Sequence, residues 1–169
     1  MTENHRDALQ VLHGLQLRQI SRAADMLVLH FGDWSEASGH GVACGVCQWA
    51  LHLQTAWNFA RDGRILLGTR DFYFYAEDGE DFDFEKEGES RFDRYAAKLR
   101  QEFEAKPPVV TRIACDSVGM FTLWLGDDLT FSVLPTAASS SPGFEFWRLF
   151  LQATEAPHYV VATDDPEEE

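Results

Sequence analysis

Two cysteines and two histidines fall within thirteen residues, His40-Gly-Val-Ala-Cys44-Gly-Val-Cys47-Gln-Trp-Ala-Leu-His52. Zinc takes sulfur and imidazole ligands in a tetrahedron, and a glycine-containing Cys-x-x-Cys turn presents both sulfurs together. His40, Cys44, Cys47 and His52 are therefore the candidate metal ligands. A lone Cys-x-x-Cys without a second pair is a weak zinc signature, because cysteine also serves as a small buried hydrophobe. Alternation along residues 49–54 sets Trp49, Leu51 and Leu53 on one face and His52 on the other. Dithiol redox centres place the first cysteine at a helix N-terminus, whereas this pair runs into a strand-like segment.

Charge is the second chemical feature. The formal net charge is −14. Residues 76–90 carry Glu77, Asp78, Glu80, Asp81, Asp83, Glu85, Glu87 and Glu89 against Lys86 alone, and residues 163–169 carry five more acids. The remaining 15 acids face 13 bases, so the acidity is concentrated in one segment and one tail. Direct nucleic-acid binding needs a basic footprint that is missing here. An acidic patch instead suits a basic protein partner. An EF-hand calcium loop is not matched by the acidic run at residues 78–85. Phe82 and Phe84 alternate with Asp81, Asp83 and Glu85, the pattern of a strand with one solvated face.

Common catalytic signatures are missing. The chain has no phosphate-cradling glycine loop, no dinucleotide fingerprint, no His-Glu-x-x-His and no Gly-x-Ser-x-Gly. The six histidines are scattered, and Ser139, Ser140 and Ser141 sit in a Pro/Ala/Ser-rich loop. No catalytic residue and no cofactor are expected, and the balance leans away from an enzyme. Glu145-Phe-Trp-Arg-Leu-Phe150 is more distinctive. As a strand it places Phe144, Phe146, Arg148 and Phe150 on one face and Glu145, Trp147 and Leu149 on the other. Trp147 and Arg148 are residue types favoured at binding hot spots, and join the acids Glu77, Asp78, Glu80, Asp81, Asp83 and Glu85 as the candidate partner surface.

The elements that must hold these residues read as an α+β domain. A short helix is expected over 5–13, then strands over 15–20 and 26–31 with a turn at 21–25. Residues 32–45 are glycine-rich and read as a long loop, or a loop ending in a strand. Asp62-Gly63 between two apolar runs is a strong hairpin signal, because both turn residues must accept positive φ. The main helix is predicted over 91–105. Ser90 is its N-cap and Asp93 completes a capping box; Phe92, Tyr95, Ala96, Leu99 and Phe103 form its apolar stripe, and Pro107-Pro108 stops it. Strands at 109–115, 120–125 and 129–134, with two more at 144–151 and 158–162, complete a largely antiparallel twisted sheet of about 7–9 strands. One domain over 1–162 is expected, followed by an acidic, disordered tail at 163–169.

With 45% hydrophobic and 13% aromatic residues, the chain has ample core material and overall disorder is excluded. No apolar run approaches the roughly 18 residues of a membrane span. A polar N-terminus and an odd cysteine count point to the cytoplasm. Exposed sheet edges allow a homodimer.

Several segments together, Leu51-His-Leu-Gln54 with Trp57, Gly63-Arg-Ile-Leu-Leu-Gly68 with Asp71, Gly88-Glu-Ser-Arg-Phe-Asp93 and Glu145-Phe-Trp-Arg-Leu-Phe150, resemble an uncharacterised family of small bacterial proteins. The resemblance runs from about residue 15 to 151 and implies no activity. Members carry Trp-Arg where this chain has Trp57-Asn58. The functional expectation is a non-catalytic protein-binding domain, with an immunity- or antitoxin-like version in which the acidic surface covers a basic toxin. The alternatives are a small enzyme or ligand-binding domain with a pocket assembled from distant strands, and a zinc protein.

Overall fold

The computed structural model describes residues 4–36, 45–75, 83, 86, 88–140 and 143–163. A short helix α1 (His5–Leu9), capped by the Asn4 side chain accepting from the Arg6 N–H, runs into a 3-10 turn at Gln10–Leu12. Five strands follow: β1 (Leu17–Ala23), β2 (Met26–Glu36), β3 (Gly45–Leu53), β4 (Ala56–Arg61) and β5 (Arg64–Gly68). A 3-10 turn (Thr69–Tyr73) and the long helix α2 (Arg91–Ala105) come next. The chain continues through β6 (Val110–Cys115), β7 (Phe121–Leu125), β8 (Leu129–Leu134), β9 (Glu145–Leu151) and β10 (Tyr159–Ala162).

The strands form two antiparallel sheets, ordered β1-β2-β3-β9-β10 and β5-β4-β8-β7-β6. The α+β class, the antiparallel pairing, the main helix and the short N-terminal helix are all observed. The described residues hold ten strands, slightly above the expected number, divided between two sheets. The division arises at residues 54–55, where β3 passes into β4 and the chain leaves one sheet for the other. Buried Thr55 fixes that corner by donating from Oγ1 to the Leu134 carbonyl at 2.7 Å. Beside the edge strands β1 and β6 the sheets are stitched by a Gln16–Val109 bridge, with Leu17 N–H donating to the Pro108 carbonyl and Val110 N–H to that of Leu15, both 2.9 Å.

Between the sheets lies an aromatic core. Phe31, Leu51 and Leu53 from one sheet oppose Phe59, Phe121, Leu123 and Phe131 from the other. Each fully buried side chain of this kind contributes about 2–3 kcal/mol. Trp57 packs against Phe59, Phe72, Phe92 and Phe131. Helix α2 plugs the open side with Phe92, Ala96, Leu99 and Phe103, meeting β1, β5 and the 69–73 turn.

Local readings fared unevenly. Asp62 and Gly63 turn the β4–β5 hairpin with φ of 50° and 71°, as their dipeptide requires. Strict in–out alternation does not hold along β1. The β1–β2 register shifts between Leu17 and Gln19, and this bulge buries both Leu17 and Ile20. The first hairpin turns only at Ala24-Asp25, because β1 extends to Ala23. Of the segment read as a glycine-rich loop, residues 32–36 and 45 are strand, while 37–44 lie outside the described residues. The expected strand around Phe82 and Phe84 also lies outside them, as does the tail from residue 164.

Gly119, in the β6–β7 turn, shows how closely one turn approaches the core. Its φ is +82°, and a Cβ there would stand 2.8 Å from Val161 Cγ1. Gly126 has a similar φ of +67° but open space around it. Gly119→Ala is expected to cost about 3 kcal/mol in denaturant unfolding, against about 1 kcal/mol for Gly126→Ala, since only the former adds a clash to backbone strain. Equal losses would contradict this packing.

Candidate functional site

The acidic segment leaves and rejoins the fold at one point. Tyr75 and Ser90 form an isolated bridge, and the Arg91 N–H donates to the Phe74 carbonyl at 2.8 Å. The chain on either side of residues 76–89 is thus joined at a neck. The second post of that neck is the start of α2, where the predicted capping box forms. Ser90 Oγ accepts from the Asp93 N–H at 3.2 Å, and Asp93 Oδ2 accepts from the Ser90 N–H, the Ser90 hydroxyl and the Gly88 N–H.

Arg22 locks this arrangement to β1. Its Nε donates to Asp93 Oδ1 at 2.8 Å and its Nη2 to Oδ2 at 2.9 Å, a bidentate fork. The same guanidinium donates to the carbonyls of Ala24 at 3.0 Å and Lys86 at 3.1 Å. Both side chains are largely shielded, at 6% and 11% exposure. Burial pushes the Asp93 carboxyl up, but the hydrogen bonds from Arg22 and Ser90 outweigh it and hold the pKa below its ordinary value. Sequence reasoning placed Asp93 in the cap and missed Arg22, which sits 71 positions away with no local signal.

Around the neck the surface mixes aromatic rings with charge. Tyr73 and Phe74 are 46% and 41% exposed. The Tyr73 hydroxyl donates to Asp25 Oδ2 at 3.0 Å, and the Arg91 guanidinium lies 4.9 Å from the centre of the Phe74 ring. Lys86 pairs with Glu89, whose other oxygen accepts from the Asp83 N–H at 3.3 Å. Asp83 is exposed. Glu77, Asp78, Glu80, Asp81 and Glu85, the other acids of the candidate partner surface, lie outside the described residues.

Trp147 and Arg148 part company. Trp147 is fully buried, donating from Nε1 to the Gly119 carbonyl at 2.9 Å and packing edge-on to Phe121, so it belongs to the core and not to a partner surface. Arg148 lies on the outer face of the first sheet, paired with Glu145 through a 2.7 Å bond from Nε and a second one from Nη2. Alternation had set these two on opposite faces. The β9–β10 register shifts between Val161 and Ala162, and this bulge brings Glu145 to the side of Arg148.

Arg148 neighbours a histidine patch. His52 is its register partner on β3, and His52 meets the Phe150 ring edge-on at 4.9 Å. His158 stacks on the same ring at 4.3 Å. His30 Nδ1 is buried with no hydrogen-bond partner among the described residues. Burial lowers the pKa of His30, and burial, reinforced by His30 and Arg148, lowers that of His52, with Glu145 opposing and His158 assisting.

The cysteine-rich candidate is split. Cys47 is buried and lies an odd number of residues from His52 along the unbroken strand β3, so their side chains leave opposite faces. Burial pushes the Cys47 thiol up to about 11, the opposite of nucleophile activation. His40 and Cys44 lie outside the described residues. Among the described residues no three His, Cys, Asp or Glu side chains converge for a metal. No described helix is long and apolar enough to cross a membrane.

No protein-family model, curated protein or solved structure matches this chain.

The histidine patch has a pH consequence. Folded-state values below the ordinary 6.5 mean that the unfolded chain binds more protons as pH falls. Stability is therefore expected to be full above pH 6.5 and to decline below it, through the folded-state values. In urea titrations between pH 7 and 5, the double variant His30→Gln/His52→Gln is expected to show a shallower decline than the parent. An identical slope would contradict the assignment.

Proposed function

We propose that the chain is a non-catalytic bacterial protein-binding domain, immunity- or antitoxin-like, whose acidic segment meets a basic partner. The observation carrying this reading is the neck: the segment richest in acids is closed at its base by the Tyr75–Ser90 bridge and the Arg22–Asp93 pair. A tied segment loses less conformational freedom on binding than an open one. Half-exposed Tyr73 and Phe74 stand beside it and offer apolar anchors of the kind that dominate interface energies. Free Cys47 and Cys115 thiols fit a cytoplasmic encounter.

Charge complementarity acts mainly on association rate and is screened by salt. Affinity capture from the source cell should therefore yield a basic partner whose binding weakens about tenfold or more between low and physiological salt. Replacing Glu77, Asp78, Glu80, Asp81, Asp83 and Glu85 by their amides should abolish the salt dependence and most of the capture, and Phe74→Ala should weaken it further. Capture that is unchanged in the amide variant and insensitive to salt would refute the proposal.

A further inference from the structure

A cleft of about 440 Å³ opens at the other end of α2, lined by Arg18, Gln19, Trp34, Arg100, Phe103, Glu104 and Pro107. We propose that it binds a small organic anion carried on a flat ring. Its volume falls within the range of small-molecule sites.

The argument rests on how the arginines are held. Arg22, Arg61 and Arg148 are each neutralised by close carboxylates: Asp93, the Glu102–Asp128 couple, and Glu145. Arg18 and Arg100 are held differently. Arg18 donates from Nε to the Gly32 carbonyl at 3.2 Å, and Arg100 from Nη1 to the Ile20 carbonyl at 3.1 Å. A carbonyl orients a guanidinium without cancelling its charge, which leaves the remaining donors available for an anion. Among the described residues the one carboxylate paired with Arg18, Asp33, stands 3.5 Å away and is 98% exposed, so water screens it.

Two elements converge to make the site. The bulge at Leu17–Gln19 lets Arg18 and Gln19 both line the cleft, and the last turns of α2 bring Arg100, Phe103 and, just beyond, Pro107. Trp34 is half exposed, an indole face on which a planar group stacks. Pre-oriented guanidinium forks grip carboxylate and phosphate alike, so the anionic head is the shared feature and the ring supplies the apolar contact. The cleft lies apart from the neck, and its ligand does not depend on the partner reading.

Calorimetric titration tests this with four probes: adenosine 5′-monophosphate, indole-3-acetate, adenosine and inorganic phosphate. At least one of the two ring-bearing anions should bind at least tenfold more tightly than both adenosine and phosphate. A preference between them identifies phosphate or carboxylate as the head. Arg18→Gln, Arg100→Gln and Trp34→Ala should each weaken that binding about tenfold, with Arg100→Lys retaining part of it and thermal unfolding showing each variant folded. Equal binding of adenosine, no binding by either ring-bearing anion at millimolar concentration, or folded variants that bind like the parent would overturn the proposal.

Discussion

Burying a guanidinium and a carboxylate together is costly unless almost every donor and acceptor is satisfied, and at Arg22 and Asp93 they are. Asp93 accepts from Arg22, Ser90 and Gly88, while Arg22 also reaches the Ala24 and Lys86 carbonyls. The pair thereby ties three pieces of chain: the end of β1, the start of α2 and the returning limb of the acidic segment. A run of eight acids with a single lysine repels itself. At its base the returning limb is held through backbone: Arg22, whose charge is matched by Asp93, donates to the Lys86 carbonyl.

Helix α2 links this neck to the rest of the molecule. Its N-terminal turn holds the capping box, its apolar stripe buries Phe92, Ala96 and Leu99 in the core, and its last turns line the Arg18–Arg100 cleft. The stripe that closes the core thus also sets the position of two surface features at opposite ends of the same element. The sheets contribute through their irregularities. Bulges in β1 and β9 break the inside-outside alternation, turning Arg18 towards the cleft and Glu145 towards Arg148.

What could be read from the sequence was local. The Asp62-Gly63 turn, the Ser90–Asp93 box, the helical stripe and the spacing of β6, β7 and β8 depend on neighbours within a few residues, and all appear where expected. What could not be read was nonlocal. Arg22 and Asp93 are 71 positions apart, a bulge carries no composition signal of its own in β1 or β9, and Trp147 looked like a binding residue because burial depends on the opposing sheet. The cleft was equally hidden: Arg18 reads as an ordinary strand residue, Trp34 as part of a glycine-rich loop and Arg100 as a helix position off the apolar stripe. Only the fold brings them together.

The dependence of the neck on one buried pair is open to a double-mutant cycle with Arg22→Met, Asp93→Asn and the combined variant, followed by denaturant unfolding. The cycle separates the pair itself from the capping role that Asp93 also plays. A coupling energy of about 2–3 kcal/mol is predicted, as for residues in one shielded hydrogen-bond network. A coupling below about 0.5 kcal/mol, typical of a surface ion pair, would show that the neck is held by other contacts and would contradict the account.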